Sequence, residues 1–196
     1  MRDSGYRIED KLMAETTKDA AEPAGDAAAG RYWIGQSFLG MVMICVAARG
    51  VRAVAFGESE AELVLQACRV FPGARRIETP DDLVGRALAA VDWVAIGGVH
   101  EIDLDLGGTV FQRQVWAELR KTMPGDRVSY SELARRLGRP RAARAIAAAC
   151  AANEIGILVP CHRVVPASGE VGGYRWGAWR KRLLLEIEAP SSAAVA

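Results

Sequence analysis

The chain has 196 residues, 51% of them hydrophobic and 25% charged, a composition that fits a folded globular protein and excludes a disordered or fibrous one. No apolar run approaches the roughly 20 residues that span a bilayer as a helix, so no membrane partner is expected. The net charge of +1 hides a division: residues 1–108 carry 11 Lys/Arg against 17 Asp/Glu, a net −6, whereas residues 109–196 carry 14 against 7, a net +7. This asymmetry points to a polyanion that meets the second half of the chain and not the first.

Residues 1–30 open on the polar stretch MRDSGYRIEDKLMAETTKD, which lacks an apolar signal core, and end in AEPAGDAAAG. They read as a tail or linker in a cytoplasmic protein. Strand-like runs follow at Arg31–Ser37, Gly40–Ala48 and Val51–Gly57, punctuated by Gly40 and Gly50 as in an antiparallel meander. Ser59 caps a helix marked by Leu63, Ala67 and Val70 and ending near Phe71-Pro72-Gly73, and a second helix is expected from about Pro80 to Val94. This first unit holds no catalytic cluster, and its lone His100 reads as a structural or surface residue. The four cysteines, 45, 68, 150 and 161, show no C-x-x-C spacing, and the chain has only two histidines. A metal site is therefore not expected, and a reduced chain is. Cys45 and Cys68 read as buried small hydrophobes.

Beyond Gly107-Gly108 the pattern becomes helical. Phe111, Val115, Trp116 and Leu119 mark one helix face that ends before Pro124-Gly125. Ser131 is expected to open a short helix, Glu132–Leu137, and Gly138-Arg139-Pro140 separates it from another at Arg141–Ala152, an outline of helix-turn-helix type. The second helix reads RAARAIAAACAA, and its outward positions carry almost nothing but alanine beside Arg141 and Arg144. A solvated helix carries long polar side chains there. Two explanations stand: the helix presses against a smooth partner such as a DNA minor groove, or it is buried on all sides.

Chemistry concentrates after Asn153, in Pro160-Cys161-His162-Arg163-Val164-Val165. An imidazole beside a thiol can accept its proton and raise the small thiolate fraction that a thiol of pKa about 8.5 has near neutrality. Sequence neighbours do not face each other on a regular helix or strand, so a sharp turn or a bridging water is required.

The segment Asn153–Val165 resembles the active-site signature of the O6-alkylguanine-DNA alkyltransferases, closest to the Ada-type and Ogt-type bacterial members. Phe111, Val115-Trp116, the Pro124-Gly125 turn, Val128-Ser129-Tyr130, Arg144-Ala145-Ile146-Ala147 and Gly173-Tyr174-Arg175-Trp176-Gly177 fall at that family's spacing. The likeness covers about residues 107–188, and residues 31–105 resemble the family's small N-terminal domain more weakly. The resemblance implies an α+β protein: a flexible tail (1–30), a ribonuclease H-like N-terminal domain (31–105), a mostly helical DNA-binding domain with helix-turn-helix and active-site cysteine (107–188), and a C-terminal tail (189–196).

It also implies roles. Cys161 would accept the alkyl group from O6-alkylguanine, with O4-alkylthymine as the related lesion, in a single-turnover displacement. His162 would act through a water as base, oriented by Glu188, 27 residues after the cysteine. Asn153 would brace the helix-turn-helix against the active-site segment. Tyr130 would crowd the lesion's 3′ phosphate and protonate the departing guanine, and Arg144 would fill the gap in the stack. Ser131, Ala142 and Ala143 would join Tyr130 and Arg144 at the DNA, while Cys150, Val164, Tyr174 and Arg175 would form the base pocket, with Lys181 nearby. The implied partner is double-stranded DNA bound through its minor groove, with little sequence preference, by a monomer that uses no cofactor. Glu154 and Gly156 stand where the family commonly has prolines, which bears on substrate range. Two other readings remain: a lesion-binding protein that transfers nothing, and a cysteine hydrolase built on Cys161, His162 and Glu188.

Overall fold

The structure, a computed structural model, describes residues 30–95, 98 and 101–189. The expectations for His100 and for nearly all of both tails lie outside the described residues. The fold is α+β. Strands β1 (Arg31–Ser37), β2 (Gly40–Ala47) and β3 (Gly50–Phe56) form the expected antiparallel meander. A two-residue strand, β4 (Arg75–Arg76), adds parallel to β1 and gives the order β3-β2-β1-β4. Val42 to Val46 of β2 are all fully buried, which is what an unbroken apolar run in a central strand achieves.

Helix α1 (Glu60–Val70) is capped by Ser59, whose hydroxyl accepts the Glu62 N–H at 3.3 Å, and buries Leu63 and Ala67. Helix α2 (Asp82–Ala95) buries Val84, Ala87 and Val91 at helical spacing, and each such side chain contributes about 1.5–3 kcal/mol when it is a full-sized aliphatic. Cys68 corrects the expectation of burial: it is exposed, because one residue beyond Ala67 turns the side chain some 100° off the apolar stripe.

The free edge of β3 is covered by two distant segments, and this positions the site. Val51 N donates to Asp103 O and Asp105 N to Val51 O, both at 2.9 Å. Further along the strand, Val54 N donates to Glu154 O and Gly156 N to Val54 O, again at 2.9 Å. A sheet edge otherwise open to other chains is thereby paired internally. Gly50 is required at the turn into β3: its φ is +130°, and a Cβ there would lie 2.3 Å from Asp103 O.

The second half is helical. Helix α3 (Val110–Leu119) opens on a reciprocal capping box between Thr109 and Gln112 and buries Val115, Trp116 and Leu119. Helices α4 (Tyr130–Arg136) and α5 (Ala143–Ala151) follow, with α3 joined to α5 by the bond from Trp116 Nε1 to Ala149 O at 2.9 Å. Two short strands, β5 (Val128–Ser129) and β6 (Val164–Val165), pair in parallel. The cap of α4 is Ser129, not Ser131: its hydroxyl accepts Glu132 N at 3.1 Å, and Ser131 lies in the first turn. Helix α5 begins two residues later than expected. Ala142 N bonds back to Arg139 O, so Pro140 and Arg141 form the middle of a turn in which proline takes its favoured second position.

The last helix, α6 (Ala178–Ile187), was not expected from the sequence. Its inward face carries Arg180 and Lys181 beside Leu184 and Leu185. Arg180 ties the helical half to the sheet half: Nε donates to Leu39 O (3.0 Å), Nη1 to Trp176 O (2.7 Å) and Glu58 Oε1 (2.9 Å), and Nη2 to Gly57 O (3.4 Å). Replacing Arg180 by Met leaves these buried carbonyls without donors, and is expected to cost about 2–3 kcal/mol. A lower urea midpoint at an unchanged slope would show it. Among the described residues, no helix is long and apolar enough to cross a membrane.

Candidate active site

The chain leaves α5 at Ala152 and reaches Cys161 through a tightly held segment. Asn153, 1% exposed, organises it: Oδ1 accepts Ile155 N (3.0 Å), and Nδ2 donates to Val159 O (2.9 Å) and to Cys161 Sγ (3.2 Å). Ile157 has φ +67°, alone in that region among the described non-glycine residues. For a β-branched side chain this is a strained conformation, worth about 1–3 kcal/mol, of the kind that surrounding bonds impose at functional sites. Gly156 lends its N–H to β3, a bond that a proline at that position cannot make.

Cys161–Arg163 then form a single 3-10 turn after Pro160. The turn does not bring the thiol and imidazole together: Sγ meets Asn153 and Nε2 meets Glu188. Burial pushes the Cys161 thiol up, against the lowering effects of the Asn153 amide and the charges of Lys181 and Arg175. The thiol rests protonated and needs a base. Burial lowers His162 below its ordinary value despite the hydrogen bond and charge of Glu188, so the imidazole is neutral near neutral pH. His162 Nε2 lies 3.1 Å from Glu188 Oε1. With the proton on Nε2, Nδ1 is a proton acceptor, and Nδ1 is buried with no hydrogen bond within the protein.

Glu188 caps the C-terminus of α6. Burial pushes its carboxyl up, but the bonds and charges of His162 and Arg163 prevail and hold it at about 2. Arg163 is the residue that sequence reasoning passed over. Its Nη2 meets Glu188 Oε1 at 2.7 Å and its Nε meets Oε2 at 3.0 Å, while Nη1 donates to the Thr122 carbonyl. The available signal is a formal charge, Arg163, directly followed by the apolar pair Val164-Val165 and preceded by the apolar stretch at residues 155–159.

Cys161 lies at a cleft of about 290 Å³ that Tyr130, Cys150, Tyr174 and Arg175 also line, near the lower end of the range for ligand pockets. The Tyr174 hydroxyl is buried without a partner, and its ring meets Trp176 edge-on at 5.1 Å. Burial also pushes the Cys150 thiol and the Tyr130 phenol up. Val164 is not on the cleft wall; its carbonyl accepts Lys181 Nζ at 2.7 Å, and Lys181 also reaches Gly173 O at 3.4 Å. Arg175 Nη1 bonds the carbonyls of Ala151 (3.2 Å) and Asn153 (3.4 Å), where α5 ends.

The remaining candidates stand outside the cleft. Ser131 and Arg144 are exposed, and Ala142 and Ala143 are partly so. Arg144, Ala145, Ala148 and Ala151 are all exposed on α5, which rules out a helix buried on all sides. No cluster of three or more metal-ligating side chains occurs among the described residues.

Fold and site together define an α+β protein with a buried, hydrogen-bonded thiol beside a neutral histidine and a smooth, alanine-faced helix at the mouth of its cleft. Residues 110–190 match the profile of "6-O-methylguanine DNA methyltransferase, DNA binding domain". The chain is 38% identical over 192 residues to the "Bifunctional transcriptional activator/DNA repair enzyme Ada" of Escherichia coli, covering 95% of this chain and 52% of that one. It is 48% identical over 94 residues to the "Methylated-DNA--protein-cysteine methyltransferase" of Mycobacterium tuberculosis, 48% of this chain and 57% of the relative. Its fold matches the crystal structure of Mycobacterium tuberculosis OGT in complex with DNA, with TM-score 0.68 and 31% identity over 82% of this chain and 96% of that one. The chain belongs to the O6-methylguanine DNA methyltransferase family. It spans about half the length of the curated relatives it matches.

Proposed function

We propose that this protein repairs DNA by moving the alkyl group of an O6-alkylguanine onto Cys161, one lesion per molecule. The observation that carries this reading is the Cys161 sulfur, held by Asn153 at 3.2 Å beside the His162–Glu188 pair, at a cleft open enough for a base. His162, through a water, takes the thiol proton; the sulfur attacks the alkyl carbon; the carbon–oxygen bond breaks; and the guanine leaves with the bonding pair and a proton from Tyr130. A thioether results, which thiol exchange does not reverse. No cofactor takes part in this scheme.

Reaching a carbon inside a stacked duplex requires turning the nucleotide out, at a cost of a few kcal/mol. Helices α4 and α5 act as a helix-turn-helix whose alanine face fits the minor groove, Arg144 fills the vacated stack, and Tyr130 crowds the phosphate. Ser131, Ala142 and Ala143 lie along the same contact. Alanines cannot read base edges, so binding is largely sequence-independent. The protein acts as a monomer, with residues 31–105 a ribonuclease H-like domain supporting an alkyltransferase domain at 107–188.

Incubation with a duplex containing O6-methylguanine, followed by peptide mass analysis, is expected to show the Cys161 peptide heavier by one CH2 unit, at one equivalent per protein. An unmodified peptide from protein that binds the damaged duplex would overturn transfer in favour of lesion binding alone.

A further inference from the structure

Glu154 lies outside the catalytic group, yet it contacts three parts of the molecule: β3, α1 and the cleft wall. Its backbone carbonyl accepts Val54 N of β3. Its carboxylate lies 3.9 Å from Arg52 of β3, 3.8 Å from Arg69 of α1 and 3.8 Å from Arg175 on the cleft wall. Three guanidinium groups thus converge on one half-buried carboxylate. Arg175 already donates to the carbonyls of Ala151 and Asn153, so its place depends on two carbonyls and one anion. Arg69 repels it, and Glu154 offsets that repulsion.

We infer that Glu154 is a positioning residue that fixes Arg175 as a wall of the alkyl pocket and so limits the size of the group the site accepts. The inference rests on the transfer reading above. Without the carboxylate, Arg175 faces Arg69 uncompensated and moves away from the wall. The cleft widens at Arg175, which favours bulky substituents and does little for methyl. Removing Arg69 as well takes away the repulsion and lets Arg175 return.

The test compares single-turnover rates on duplexes containing O6-methylguanine and O6-benzylguanine for the native protein, Glu154→Gln, Arg69→Gln and the double variant. Glu154→Gln is expected to raise the benzyl-to-methyl rate ratio about three- to fivefold, the scale of a partly exposed ion-pair network, and the double variant to bring it back toward the native ratio. A merely structural role would slow both substrates alike and leave the ratio unmoved. An unchanged ratio, or a double variant no different from Glu154→Gln, overturns this assignment while leaving transfer intact. Failure of the native protein on both duplexes would instead overturn the transfer reading.

Discussion

Cys161→Ser is expected to abolish alkyl transfer to DNA-bound protein while duplex affinity stays within about twofold of native. The substitution changes one atom. Oxygen fills less space than sulfur and accepts the Asn153 amide equally well, so the cleft and the outer face of α5 keep their shape. Reactivity does not survive, because a hydroxyl ionises far less readily than a thiol, and a neutral hydroxyl is a weak nucleophile towards an alkyl carbon. Cys150 lines the same cleft, but the Asn153 side-chain amide donates to Cys161 and no histidine stands beside Cys150 in the chain, so it is not expected to substitute. Single-turnover assays with labelled O6-methylguanine duplex, together with a binding titration at several salt concentrations, check both halves. Label appearing on Cys150 of the variant, or a large loss of affinity, would contradict the division between nucleophile and DNA surface.

Glu188→Ala is expected to destabilise the fold by about 3–5 kcal/mol, the cost of leaving a buried charge without its partner. Arg163 is 4% exposed and loses three contacts to the carboxylate, retaining only Thr122. The pH dependence carries a sign. A carboxyl held at about 2 against an ordinary 4.5 contributes stability that is fully present above 4.5 and is lost as pH falls toward 2. That difference corresponds to about 3 kcal/mol. His162, lowered from 6.5, acts in the same direction, since the unfolded chain takes up its proton first. Native protein therefore loses stability on acidification, and the portion lost between 4.5 and 2 should vanish in Glu188→Ala. Urea titrations at a series of pH values measure it; parallel curves for the two proteins would show that Glu188 is not the linked group. Transfer should also slow, because His162 loses the acceptor that fixes its tautomer.

The two variants act on opposite sides of one turn. Cys161 faces the cleft, and His162 and Arg163 face inward toward α6 and the Thr122 carbonyl. The single 3-10 turn sets Cys161 toward the cleft while both following residues, His162 and Arg163, turn inward, a placement that the strict alternation of a strand does not give. Asn153 closes the arrangement from the α5 side and Lys181 from the α6 side, through Val164 O.

Much of this was determined by the sequence alone. Local rules place the hairpin glycines, the Ser59 cap and the apolar stripes of α1 and α3, because each depends on residues within a turn or two of one another. The run around Pro160-Cys161-His162 likewise marks the candidate nucleophile and base, whereas Glu188 enters only through the family resemblance. Tertiary structure alone decided the rest. Helix α6 lacks an apolar stripe because Arg180 and Lys181 occupy its inward face, and they are tolerated there only because carbonyls from Leu39, Trp176, Val164 and Gly173 converge on them. Arg163 gained its partner and Glu154 its three arginines in the same way, whereas the exposure of Cys68 follows from the helical period that Leu63 and Ala67 already set. A charge is buried or solvated according to what distant segments bring to it, and no periodicity within a segment encodes that.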